Sequence, residues 1–108
     1  MHMGIDQTVI DEIVRRVTGA VSAERIILFG SAASGQMTHD SDIDILVLEN
    51  SVMDRGAEWL RVQDALLDMR YPFDIIIMAS DRFEETKDLI GGIAYPANKY
   101  GKVVYEAA

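Results

Sequence analysis

The residues whose types and spacing could do chemistry lie in one stretch, Leu28-Phe29-Gly30-Ser31-Ala32-Ala33-Ser34-Gly35, and in its continuation Ser41-Asp42-Ile43-Asp44-Ile45-Leu46-Val47. An apolar run ends at a Gly-Ser pair, small residues turn the chain, and a second apolar run opens on two aspartates. Glycines permit close backbone approach, while free N–H groups and the Ser31 hydroxyl can face an anion, which makes this turn a candidate phosphate cradle. Asp42 and Asp44 are two residues apart, a spacing that on a strand puts both carboxylates on one face, where they can share a cation. Magnesium takes one or two carboxylates together with substrate phosphates and completes its shell with water. The stretch offers both halves of such a site.

A third carboxylate stands in the run Phe73-Asp74-Ile75-Ile76-Ile77-Met78. A charge set among residues this apolar must be neutralised, paired or bound to a cation, unless it marks the solvated end of a strand. Ser41 and Asp42 are also residue types that cap turns, but capping leaves the second aspartate on the same face unexplained. His39, close by in sequence, reads as a solvent-facing loop histidine rather than as a base or ligand.

These groups need elements to hold them. Ile10, Ile13, Val14, Val17 and Val21 recur at helical spacing from about Asp6 to Ala20, opposite Asp11, Glu12, Arg15 and Arg16, so an amphipathic helix should cover one side of a sheet. Ile26 to Phe29 is continuously apolar and reads as a central strand covered on both faces. A second strand runs from about Asp42 to Leu48. A second helix spans Ser51 to about Arg70, with Ser51 or Asp54 as its cap, Trp59, Val62, Leu66 and Met69 on one face, and Trp59 as a core anchor. Pro72 ends it and Phe73 to Met78 forms a third strand. Ser80 or Asp81 should cap a third helix through Leu89, packed by Phe83 and Leu89. The tail reads as a short helix around Pro96, ending at Gly101, and an edge strand from Lys102 to Tyr105.

The chain has 108 residues, enough for one core, and residues 1–108 are expected to form a single domain. Eighteen acidic against ten basic residues give a net charge of −8, which disfavours nucleic acid and anionic membranes as main partners. No run reaches the ~18 apolar residues of a membrane span, and no leader pattern opens the chain, so a cytoplasmic protein is expected. With no cysteine, thiolate nucleophiles and cysteine-zinc sites drop out.

Gly30-Ser31, three residues, Gly35, six residues, then Asp42-x-Asp44 running into Ile45-Leu46-Val47 resembles the signature of the polymerase-beta-like nucleotidyltransferase superfamily, in particular its minimal nucleotidyltransferase branch. The resemblance implies an α/β (α+β) nucleotidyltransferase fold, a short mixed β-sheet flanked by helices. It implies that Asp42, Asp44 and Asp74 are catalytic and hold metal, two Mg2+ ions, and that Asp74 can accept the attacking hydroxyl's proton. It assigns Gly30, Ser31, Gly35 and Ser41 to nucleotide binding, with ATP or another NTP as substrate and a nucleoside monophosphate, AMP in the first instance, passed to an acceptor hydroxyl.

Members of this family often carry an arginine just before the second motif glycine, whereas this chain has Ser34. A cationic contact to the triphosphate is then missing or comes from elsewhere, with Arg55, Arg70 and Lys87 as the available residues. With no further domain to grip an acceptor, acceptor binding would be borrowed. In this branch the usual lender is a small helical HEPN-type partner, often a toxin, with the nucleotidyltransferase as antitoxin acting on a tyrosine. The alternative is a noncatalytic nucleotide-binding or contact antitoxin. Tyr95, Tyr100 and Tyr105 are equally well explained by packing, and homo-oligomerisation stays open.

Overall fold

The structure is a computed structural model describing residues 6–30, 33 and 42–108. Along the chain come α1 (Gln7–Ala20), β1 (Ala23–Phe29), β2 (Ile43–Glu49), α2 (Arg55–Leu66) with a 3-10 turn (Leu67–Met69), β3 (Phe73–Ala79), α3 (Ser80–Thr86), α4 (Ala94–Tyr100) and β4 (Lys102–Glu106). The strands form one sheet in the order β3-β2-β1-β4. β1 pairs antiparallel with β2 and β4, while β2 and β3 run parallel, so the sheet is mixed as expected. A parallel neighbour requires a crossover rather than a hairpin, and α2 supplies it.

Strand alternation sorts the core onto two faces. Ile26, Leu28, Ile43, Ile45, Val47, Ile75 and Ile77 turn to one side, where Ile10, Ile13 and Val17 of α1 and Val62 and Leu66 of α2 cover them. Ile27, Phe29, Leu46 and Leu48 turn to the other, beneath Phe83 of α3 and Ala94 and Ala97 of α4. Central β1 and β2 are buried on both faces, which is why their sequences are almost continuously apolar. Arg16 of α1 donates to Glu12, to Asp68 and, at 2.9 Å, to the Ala65 carbonyl, tying α1 to the end of α2.

Several boundaries differ from the expectation. α2 starts at Arg55 because Asp54, not Ser51, is its cap, accepting from the Ala57 N–H at 3.1 Å. α3 stops at Thr86, and Leu89 is exposed rather than packed, leaving Phe83 as that helix's buried anchor. Neither Ser80 nor Asp81 caps α3, since both lie inside its first turn. Trp59 is not a core anchor: it is 36% exposed, and its indole Nε1 donates to the Ile75 carbonyl at 3.0 Å. β3 is an edge strand, so no further strand covers Trp59, and its ring closes over the edge instead. Pro96 sits in the first turn of α4, where its missing N–H costs nothing. A Cβ on Gly101 would overlap the Ala97 carbonyl and stand 2.6 Å from Ile27 Cγ2, so only glycine lets α4 turn this tightly into β4.

Candidate active site

The predicted aspartates meet at the end of the sheet where β1 finishes and β2 and β3 begin. Phe29 is opposite Asp44 in the antiparallel pair, and Asp44 is opposite Asp74 in the parallel one. Asp44 is two residues before Leu46 and Asp74 two before Ile76, so both side chains belong to the face that carries α3 and α4. Adjacent strands put the two backbones about 4.8 Å apart. The Ile43 N–H donates to the Pro72 carbonyl at 2.8 Å, pinning the start of β2, with Asp42 just before it, to the entry of β3.

Gly30 completes this arrangement. Its φ of 66° lies in the left-handed region, and a Cβ there would overlap the Asp44 carboxylate, with 3.3 Å to Cγ. Glycine is therefore required twice over, to turn the chain out of β1 and to leave room for the Asp44 side chain. The turn begins with the Ala33 N–H donating to the Gly30 carbonyl at 3.2 Å. Ser31, Gly35 and Ser41, the other predicted nucleotide contacts, lie outside the described residues, as do Ser34 and His39.

Asp42 and Asp74 are exposed and Asp44 is half-buried between them. Burial first, then the Asp74 carboxylate, then that of Asp42, push the Asp44 carboxyl above the ordinary aspartate range. Three like charges drawn together beside Gly30 create a demand for positive charge. The donors fit magnesium in kind, since all are hard oxygens. Among the described residues no three acidic or histidine side chains close around a point as a ready-made cage. A magnesium site needs only one or two protein carboxylates when phosphates and water supply the rest.

Of the cations weighed from the sequence, Arg55 opens α2, and Lys87, paired with Glu84 at 2.8 Å, follows α3. Arg70 takes a left-handed φ of 64° in the link to β3, two residues before the Pro72 carbonyl that holds β2. That brings it to the aspartate end of the sheet. Sequence spacing carried no sign of this, because the placement depends on the parallel register of β3. Tyr95 and Tyr100 lie on α4, where each ring has the Lys99 ammonium within 5.6 Å, and Tyr105 packs in β4.

Gly30, left-handed at the end of β1, thus stands beside a carboxylate pair on β2 and β3. The family model for "Polymerase beta, Nucleotidyltransferase" matches residues 11–107, and the chain belongs to that family of transferases. Among solved structures it is similar to a chain of a toxin-antitoxin crystal structure with AMP-PNP, at 21% identity and TM-score 0.69, covering 91% of this chain and 73% of that one. It is likewise similar to a chain of the complex of tri-AMPylated Shewanella oneidensis HEPN toxin with MNT antitoxin, at 19% identity and TM-score 0.64, covering 95% and 74%. A putative nucleotidyltransferase from Sulfolobus solfataricus matches at 20% identity and TM-score 0.58, covering 96% and 92%. At these identities the likenesses establish a shared fold. A search by sequence among curated proteins finds no match. No described helix is long and apolar enough to cross a membrane.

Proposed function

We propose that residues 1–108 act as a single magnesium-dependent nucleotidyltransferase domain that passes AMP from ATP to an acceptor hydroxyl. The observation that carries this reading is the Gly30–Asp44–Asp74 alignment across β1, β2 and β3, with Asp42 beside it. Asp42 and Asp44 would hold magnesium, with Asp74 completing the position nearest the nucleophile. Bound there, magnesium supplies charge neutralisation for the triphosphate and for the departing pyrophosphate. The chain's own part is positional. Gly30, Ser31, Gly35 and Ser41 receive the phosphates, and Asp74 accepts the proton as the acceptor oxygen bonds to the α-phosphorus and the bond to pyrophosphate breaks.

Arg70 serves as the triphosphate cation that Ser34 does not provide. Arg70→Ala is expected to raise KM for ATP about tenfold, the scale of one charge-assisted contact, with kcat less affected. Steady-state kinetics separates the two parameters.

The acceptor is a tyrosine of a small helical HEPN-type toxin, for which this protein is the antitoxin. The supporting observation is the similarity in fold to chains of toxin-antitoxin complexes, one holding AMP-PNP and one an AMPylated HEPN toxin. A second reading, a contact antitoxin without catalysis, is favoured by Ser34 alone. Incubation with magnesium and ATP labelled in the α-phosphate, with and without the protein encoded beside it, tests the proposal. Label on the neighbour that disappears in Asp44→Ala supports transfer. A stable complex that stays unlabelled with all four nucleotides supports contact.

A further inference from the structure

The opposite end of β2 carries a second concentration of charge that the transfer chemistry does not use. Glu49, its last residue, is only 3% exposed, and its Oε2 is buried with no hydrogen-bond partner among the described residues. It lines a cavity of about 530 Å³ between the end of α1 and the start of α2. The Glu58 carboxyl of α2 is within hydrogen-bonding reach of Glu49. Arg61 approaches Glu58 only to 4.0 Å and is itself 58% exposed, so it leaves the Glu49 oxygen unanswered.

Arg61 also lines the cavity, the one basic residue among its described lining, and the other walls add negative potential. Ala20 and Val21 bring the C-terminal end of α1, the negative end of its dipole, to the cavity, and no basic residue occupies that helix's last turn. Asp54 also lines it, with one carboxylate oxygen committed to capping α2. Ser22, Asn50 and Ser51 offer neutral polar groups, and Met53, 92% exposed, stands at the edge. No described trio of acidic residues closes tightly enough for a metal ion. A planar cation with several N–H donors suits this wide, carboxylate-floored space better than a point charge, because it can reach two carboxylates and a helix end together.

We infer that this cavity is an anchor pocket for an arginine side chain of a protein partner. The guanidinium would bond the Glu49 and Glu58 carboxylates, with its aliphatic stem against Met53, and the chain's net charge of −8 favours a basic partner surface. Met53, exposed at the cavity's edge, gives an arginine stem an apolar surface to lie against. Burial, and then the Glu58 carboxyl, push Glu49 up to about 7, while Arg61 pulls it down. Below about pH 7 a proton therefore favours the pair when no further guanidinium is bound, and entry of the cation expels it.

The test uses the full chain, 13C-labelled at glutamate, titrated with acetyl-Gly-Arg-Gly-amide, with ethylguanidinium chloride, and with tetramethylammonium chloride at matched ionic strength. The expected result is a saturable shift of the Glu49 and Glu58 carboxyl resonances with the first two and none with the third. Affinity should fall about tenfold from pH 8 to pH 6, with close to one proton released per cation at pH 6. Glu49→Gln and, independently, Glu58→Gln should weaken binding at least tenfold, the first also removing the pH dependence. Equal responses to all three cations, or binding unchanged in folded Glu49→Gln, overturn the pocket. Ethylguanidinium binding with the peptide excluded overturns its role as an anchor for a partner's side chain.

Discussion

Asp44 is held where a carboxylate is least comfortable, half-buried, backed by the Gly30 backbone and flanked by Asp74 and Asp42. Its charged form is therefore disfavoured in the folded chain without a cation. Asp44→Asn removes the repulsion while keeping the shape. It should raise stability in metal-free buffer, by up to about 1 kcal/mol after solvent screening, while lowering transfer at least about a hundredfold. Urea midpoints and labelled-ATP rates, measured on one preparation, check both signs. Gly30→Ala acts in the opposite sense on stability. The new methyl must displace the Asp44 carboxylate and accept a φ of 66°, at a cost of about 2 kcal/mol, and transfer falls with it. Rates no lower than wild type in folded Gly30→Ala would show that Asp44 need not occupy its observed position. The meeting of these residues was legible in the sequence to the extent that it depends on local spacing. Asp42, Asp44 and the glycine turn are close in sequence, and Asp74 is conspicuous as a charge in an apolar run. Glu49 closes the apolar run Ile45 to Leu48 and looks like any strand-ending acid until α2 is laid across it.

At the level of elements, period and punctuation were enough for the order of helices and strands, because each depends on its own residues. α1 shows helical spacing, β1 and β2 are apolar on both faces, and Gly101 stops α4 where the structure stops it, whereas α2 ends at Leu66, short of the Arg70 expected before Pro72, and goes on only as a 3-10 turn to Met69. What fails are inferences that depend on neighbours. Trp59 has helical spacing with Val62 and Leu66 and would be a core residue if β3 had a strand beyond it. The sheet order leaves β3 at the edge, and the indole instead satisfies an edge carbonyl. Trp59→Phe keeps a ring over the edge but loses the hydrogen bond to Ile75, which should cost about 1 kcal/mol and speed amide exchange in β3 relative to β1. Equal exchange in the two strands would mean that the edge is protected by packing alone. The parallel pairing of β3 with β2 is likewise a global property, and it brings Asp74 and Arg70 to the end of the sheet that carries Asp44.

Across the whole molecule, β2 links two acidic centres of opposite character, an open one at its start that calls for a cation and a buried one at its end whose carboxyl is pushed up to about 7. The second makes stability depend on pH in a direction that can be worked out. Glu49 titrates at about 7 in the folded chain, against an ordinary value of 4.5 when unfolded. The folded state thus binds the extra proton between those values, and the associated stability is fully present below about 4.5 and lost as pH rises through 7. The span is about 3 kcal/mol as an upper bound, since relaxation and water entry reduce it. Other carboxylates titrate over part of the same range, so the informative quantity is the difference between wild type and Glu49→Gln. The glutamine keeps a neutral group against Glu58 at every pH. Urea midpoints should show wild type losing stability from pH 5 to pH 8 relative to the variant, with the curves converging at low pH. Parallel curves across that range would place the Glu49 proton in solvent rather than in the pair, and the buried end of β2 would then be charged in the working protein.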